Sequence, residues 1–416
     1  MSPILPFDII AVIIDIVGEN NDTDLLKELA LVSHSLHQIC SKHLFATVEL
    51  YDLDVNAQNY RAASSKRGFA ELLRSRPEVV KYIRKLTYYS CSDISMFQPL
   101  STCSILDDIR PLSSILPNLL RTIPRLNYIK ISALSQDWNT MDSSLTSAFL
   151  YLMHLPTINH IDLSYIKNFP LSCFTSSPSP NLHRLDIFSL RCSNREDGPL
   201  EIVLQSEMMP KIREFHSSAS SRLTTELLHA KNQDGRPAFN FMNLRQLDIC
   251  IEDEQNIRYL LQNTKLLEKL HLEVGNYQRT ARLRDILSPL VGALTLKVLD
   301  FSVFSLYDYL RLAGLCRGLE VLAGHNMLEA LSFEIHVAGY DTENSVGYEV
   351  QRVEKVLVKP GWSALRQVSF QLFTHFEGAR KFSEELQTLP NKYLSHLSKL
   401  ESVAFNFSTS VSEYCL

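Results

Sequence analysis

The sequence predicts an α/β chain: a short unit of three helices, then an irregular solenoid, a horseshoe, whose strands form a parallel sheet on its concave face. Three observations lead there. Apolar residues return at helical spacing through the first 45 or so positions. From Phe45 onward a short triplet, apolar-x-x-apolar-x-apolar, recurs to the end of the chain. No phosphate-binding glycine loop accompanies the triplets, which argues against the alternative for residues 46–416, a doubly wound parallel sheet. The expected domains are therefore residues 1–45 and 46–416.

In the helical unit, Ile9, Ile13, Ile16 and Val17 follow one helical face, and Ile10 and Ile14 widen it. Pro6 suits a first turn, and Asp8 is favourable near the positive end of the helix dipole. Gly18 and the run Glu19-Asn20-Asn21-Asp22 end this helix. Asp22 or Thr23 caps a second helix carrying Leu25, Leu26, Leu29 and Val32, and Ser33 caps a third carrying Leu36, Ile39, Cys40 and Phe45. This is more apolar surface than so short a unit buries by itself, so it requires a partner.

Leu5-Pro6-x-Asp8-Ile9, the Ile13-Ile14 pair, and Leu31-Val32-Ser33 with an apolar residue three further on resemble an F-box. Leu36 stands where many members of that family carry tryptophan. The resemblance covers about a tenth of the chain. It implies docking on a Skp-type adaptor, which links the chain to a cullin ubiquitin ligase. Carried onto this sequence, the adaptor-binding positions are Leu5, Pro6, Ile9, Ile13, Leu31, Val32 and Leu36.

The triplets follow in order: Phe45/Val48/Leu50, Ile83/Leu86/Tyr88, Leu126/Ile129/Ile131, Ile158/Ile161/Leu163, Leu182/Leu185/Ile187 and a degraded Ile212/Phe215. Then come Leu244/Leu247/Ile249, Leu267/Leu270/Leu272, Leu296/Leu299/Phe301, Leu328/Leu331/Phe333, Leu365/Val368/Phe370 and Leu400/Val403/Phe405. From Ile129 onward the middle residues stand 23 (Leu247 to Leu270) to 37 (Leu331 to Val368) positions apart. This is an irregular leucine-rich-repeat signature. Each triplet makes a short strand with its apolar side inward, and the stretch between returns as a helix or turn. Phe69, Leu72 and Leu73 outline one helical return, and Ile257, Leu260, Leu261 and Leu266 another. One repeat cannot bury its own apolar face, so repeats stack. The asparagine that usually follows the third apolar residue is mostly missing. The array resembles the divergent repeats of the large fungal F-box families, where a helix like Phe69–Leu73 and a strand like Tyr82–Leu86 follow the box. After the last triplet, Ser408–Ser412 form a slight polar end.

Composition excludes several functions. Apolar residues make up 45% and charged residues 21%, with a net charge of −5. That is ordinary for a cored protein and lacks the basic footprint of a nucleic-acid binder. The eight cysteines include no C-x-x-C pair, so a structural metal is not expected, and scattered thiols fit a reducing compartment. Asp8 and Asp15 interrupt the apolar N-terminus, which has no basic n-region, so it does not read as a signal peptide. No apolar run approaches the ~20 residues of a membrane helix, and Cys415-Leu416 is not a prenylation box. The expected location is cytoplasmic, nuclear or both, without membrane attachment. Phosphate-loop, zincin and nucleophile-elbow motifs are absent, the thirteen histidines are dispersed, and His34 and His37 read as solvated helix residues. No cofactor, metal or intrinsic active site is expected.

The residue between the second and third triplet positions points to the opposite side of the sheet. Down the array these are Lys130, Asp162, Asp186, His216, Asp248, His271, Asp300, Ser332, Ser369 and Ala404. Asp162, Asp186, Asp248, His271 and Asp300 thus form a candidate target-binding stripe for a basic segment of a protein. The plain alternative is a stripe that keeps the strand face solvated. The expected function is substrate recognition in a Skp–cullin–F-box ubiquitin ligase, with no bond chemistry by the chain itself. The competing expectation is a leucine-rich-repeat interaction scaffold outside any ligase.

Overall fold

The computed structural model describes residues 6–51, 66–91, 116–175, 178–191, 209–231, 235–251, 254–275, 282–305, 310–337, 343–374 and 379–411. The chain forms two compact units, Met1–Pro210 with Ala230–Ala238, and Lys211–His229 with Phe239–Leu416. Arg84 and Lys85 both donate backbone N–H groups to the Ala46 carbonyl, at 2.8 and 2.9 Å. Arg76 Nη1 lies 3.3 Å from His37 Nε2.

Three helices open the first unit: α1 (Phe7–Glu19), α2 (Thr23–Val32) and α3 (His34–Leu44). Asp22, rather than Thr23, caps α2, its carboxylate accepting from the Leu25 N–H at 3.1 Å. Ser33 caps α3 by accepting from the Leu36 N–H at 3.2 Å. Between α1 and α2 the chain turns through Asn21 at φ 56°, a left-handed value that asparagine tolerates better than most residues. The helices share a core of Ile14, Leu26, Ile39 and Cys40, with Ile10, Val17, Leu29, Leu36 and Leu44 packed against it. His43 Nε2 stands 2.7 Å from Asp15 Oδ1 and ties α3 to α1. Gly18 lets the His43 ring lie flat on α1, where a Cβ would collide with it.

The first unit continues with β1 (Thr47–Tyr51), α4 (Lys66–Ser75), β2 (Lys85–Cys91), β3 (Tyr128–Asp137), β4 (His160–Lys167) and β5 (Arg184–Phe188). The strands pair in parallel and in sequence order. Their triplets fall into register: Val48 opposite Leu86, Leu86 opposite Ile129, Ile129 opposite Ile161, Ile161 opposite Leu185. The returns are helical where the sequence is amphipathic. Phe69 and Leu73 of α4 are buried. The helix Ser143–Met153 is capped by Asp142, which accepts from the Ser144 and Leu145 N–H groups at 2.8 and 3.0 Å.

The second unit carries β6 (Glu214–Ser218), β7 (Gln246–Cys250), β8 (Lys269–Val274), β9 (Val298–Ser305), β10 (Ala330–Val337), β11 (Gln367–Thr374) and β12 (Ala404–Val411), again parallel and sequential. Leu247, Leu270, Leu299 and Leu331 share one row. Phe301, Phe333 and Phe370 share the next and stack, with centroids 5.7 and 4.7 Å apart. Of the return after β7, Ile257, Leu260 and Leu261 are buried in the helix Glu254–Asn263, but Leu266 lies beyond it and is exposed. The last repeat also differs from its expected register. Phe405 and Phe407, not Val403 and Phe405, stand opposite Val368 and Phe370. A turn in which the Val403 N–H donates to the Leu400 carbonyl absorbs the extra residues, so Asn406 takes the position expected for Ala404.

Candidate functional site

Two helices of the N-terminal unit, α1 and α2, carry apolar side chains outside the shared core as well as in it. At about 100° per residue, Ile10, Ile14 and Val17 fall together on the α1 side that meets the shared core. Ile9, Val12, Ile13 and Ile16 fall on the other side, and all four stay 47–58% exposed. On α2, Leu26, Leu29 and Ala30 face the core, while Leu31 and Val32 are 88% and 70% exposed. Leu25 and Phe7 are exposed as well.

Of the expected adaptor-binding residues, Ile9, Ile13, Leu31 and Val32 are therefore on the surface, as is Pro6 at the start of α1. Leu36 packs against the helical core instead. Leu5 lies outside the described residues. Phe7, Val12, Ile16 and Leu25 belong to the exposed set without having been singled out. The offset of Val12 from Ile9 and Ile16 along the helix is the signal that finds it.

The strand-face residues are brought together as neighbours across the sheet. In the first unit Lys130 stands opposite Asp162, and Asp162 opposite Asp186. In the second, His216 stands opposite Asp248, Asp248 opposite His271, and His271 opposite Asp300. The carboxylates already have partners. Lys130 Nζ is 2.9 Å from Asp162, which also accepts from the Tyr128 hydroxyl at 3.3 Å. His160 Nε2 is 2.7 Å and Arg184 Nη2 3.1 Å from Asp186. Lys269 Nζ is 3.2 Å from Asp300. Asp248 sits between His216 and His271, at 3.3 and 3.0 Å.

Burial pushes the Asp248 carboxyl up, but hydrogen bonds from the two imidazoles outweigh it and hold the group below its ordinary range. Burial pushes His271 down, while the bond and charge of Asp248 outweigh that and raise it. Burial also lowers Lys130, but its bond to Asp162 and the charges of Asp162 and Asp186 together raise it on balance. A basic partner would thus meet a face whose acids are each engaged by a neighbouring strand or by their own.

Among the described residues no group of three or more His, Cys, Asp or Glu side chains is placed to hold a metal ion. His34 lies beside Gln38, at 3.1 Å, and His37 beside Arg76. Burial pushes the Cys316 thiol up to about 12 and raises Cys40 too, the opposite of an activated thiolate. Among the described residues no helix is long and apolar enough to cross a membrane.

No family model matches the chain, and no curated protein matches it. A solved structure of a protein from Bacteroides fragilis is similar over 83% of this chain and 70% of its own, with 13% identity and a TM-score of 0.23.

Proposed function

We propose that this chain is the substrate-recognition subunit of a Skp–cullin–F-box ubiquitin ligase. The helices α1–α3 dock the Skp-type adaptor, and the strand repeats, read as divergent leucine-rich repeats, hold the protein to be modified. The observation that carries the reading is the second apolar side of α1 and α2. Leu31 and Val32 stand in solvent at the end of a capped helix, beside an α1 with four more exposed aliphatic side chains. Covering each such residue is worth roughly 1.5–3 kcal/mol, and a few of them offset the cost of association. The chain contributes proximity rather than chemistry, raising the effective concentration of a target lysine near a charged conjugating enzyme.

Co-purification with a Skp-type adaptor tests this. Wild type should retain the adaptor, and an Ile9→Ala/Ile13→Ala/Leu31→Ala variant should lose it by 100-fold or more, on the order of two buried aliphatic contacts. No retention by wild type would leave the scaffold reading, in which the same helices serve another partner. The target-binding role of Asp162, Asp186, Asp248, His271 and Asp300 belongs to the same proposal. Its test is target capture by a variant carrying Asn at the four aspartates.

A further inference from the structure

The second unit carries a chain of polar contacts that passes through two residues of the candidate stripe, Asp248 and His271, and that adaptor docking does not use. It runs across β6 to β10. His216 and His271 flank Asp248, the latter through Nδ1 at 3.0 Å. The other nitrogen of His271, Nε2, lies 2.9 Å from Ser302 Oγ. Ser302 hydrogen-bonds Glu334, and Glu334 Oε1 lies 2.9 Å from His336 Nε2.

Taken alone, Asp248, His271 and Ser302 have the connectivity of a nucleophilic triad. Glu334 decides against that reading. A serine hydroxyl has one proton, and an ionised carboxylate has none. Ser302 must therefore donate to Glu334, which leaves only lone pairs on Oγ for His271. Nε2 then has to carry a hydrogen. Nδ1 faces the Asp248 carboxylate and has to carry one too. An imidazole with both nitrogens protonated is a cation, so it is not a base. The surroundings agree. Carboxylates face His271 from three strands: Asp248 on β7, Asp300 on β9 and Glu334 on β10. On its own strand stand Lys269, paired with Asp300, and Glu273, which accepts from Ser218 at 2.5 Å. His216 lies on the far side of Asp248. A hydrogen bond from His336 and one from Ser302 hold Glu334 below its ordinary range against burial.

We propose that His271 is a proton-operated tie across β7, β8, β9 and β10: as an imidazolium it donates from Nδ1 to Asp248 and from Nε2 to Ser302, and Ser302 donates to Glu334. Removing one proton leaves a nitrogen that accepts where it had donated, and the chain opens at that joint. His271 is raised in the folded state. Its stabilisation is therefore fully present below the unfolded imidazole value of about 6.5 and is lost as pH rises through the folded value. The strand face of this unit is firmest in mild acid and slackens above neutrality. The tie does not depend on adaptor docking.

Imidazole NMR of the full chain, with labelled histidine, from about pH 5 to about pH 9, tests it. One ring, missing in His271→Gln, should stay doubly protonated beyond the midpoint of a free imidazole. Ser302→Ala should lower that ring's midpoint, and it also assigns the signal should His271→Gln fail to fold. The thermal midpoint of wild type should fall over the upper half of this range while that of Ser302→Ala falls less. Titration of the ring at or below the free-imidazole midpoint would overturn the proposal. So would His271-dependent labelling of Ser302 by a fluorophosphonate, in which Oγ bonds to phosphorus, fluoride leaves and Nε2 takes the proton, since that needs a neutral imidazole.

Discussion

Leu270 in β8 and Ile13 in α1 are both aliphatic residues in regular elements, yet Leu270 is 0% and Ile13 47% exposed. The difference lies in what stands next to each. Every triplet residue of an interior strand meets the same position on two neighbouring strands, so its row closes without outside help. The apolar core of the three helices is drawn from those helices alone. A core of Ile14, Leu26, Ile39 and Cys40 uses one side of each helix, and the second apolar sides of α1 and α2 stay in water. Repetition supplies partners in the strands, and its absence leaves the helices in need of one.

The largest expected effect lies in the strands. Phe333 is fully buried and stacked between Phe301 and Phe370. Phe333→Ala should cost about 3–5 kcal/mol in denaturant unfolding. A loss below ~1 kcal/mol would mean that this row is far looser than its register implies. Next comes the opposite behaviour in the helices. Leu31→Ala should change the stability of the free chain by no more than about 0.5 kcal/mol, while adaptor retention drops. If stability fell as much as binding, Leu31 would belong to the chain's own fold and not to a docking surface.

A smaller effect is tied to pH. Asp248 is depressed in the folded state, so its stabilisation is present above the unfolded carboxyl value of about 3.9 and is lost as pH falls through the folded one. The thermal midpoint of wild type should exceed that of Asp248→Asn near neutrality, and the gap should narrow in acid. A gap that kept widening as pH fell below about 3.9 would contradict the assignment of the two imidazoles to this carboxylate. Smallest is Asp300→Asn. Its partner Lys269 is partly exposed, and such a pair is worth ~1 kcal/mol or less. If target capture by the four-aspartate variant is also unchanged, the stripe does not hold the target.

The strand rows were legible because a period of two puts every second residue on one face. One slip moves the whole set, and within each unit the triplets up to Val368 sit in the expected rows. The last strand was misplaced because apolar Val403 precedes it in a turn, where the pattern reads the same as in a strand. Helix starts were legible to within a residue, since Asp22 and Thr23 both make good caps and only local geometry chooses. On α1 the choice of core side was beyond the pattern. Ile9, Ile13, Ile16 and Val17 read as one face widened by Ile10 and Ile14, yet Ile10, Ile14 and Val17 turn to the core and the other three stay exposed. In a helix apolar all round, residue type no longer distinguishes inside from outside.

By itself the sequence determined the three opening helices, the strands from Val48 to Val368 and which of their residues turn inward, and that the first helices carry surplus apolar surface. Local propensity and periodicity act over a few residues, so they survive without knowledge of neighbours. Tertiary structure alone decided the rest: the division near residue 210, the inward turn of Leu36, the neutralisation of the stripe by Lys130, Arg184 and Lys269, and the joining of Asp248, His271, Ser302 and Glu334. Those residues come from strands some 30 positions apart. Only the stacking of one repeat on the next sets the distances over which charge and hydrogen bonding act.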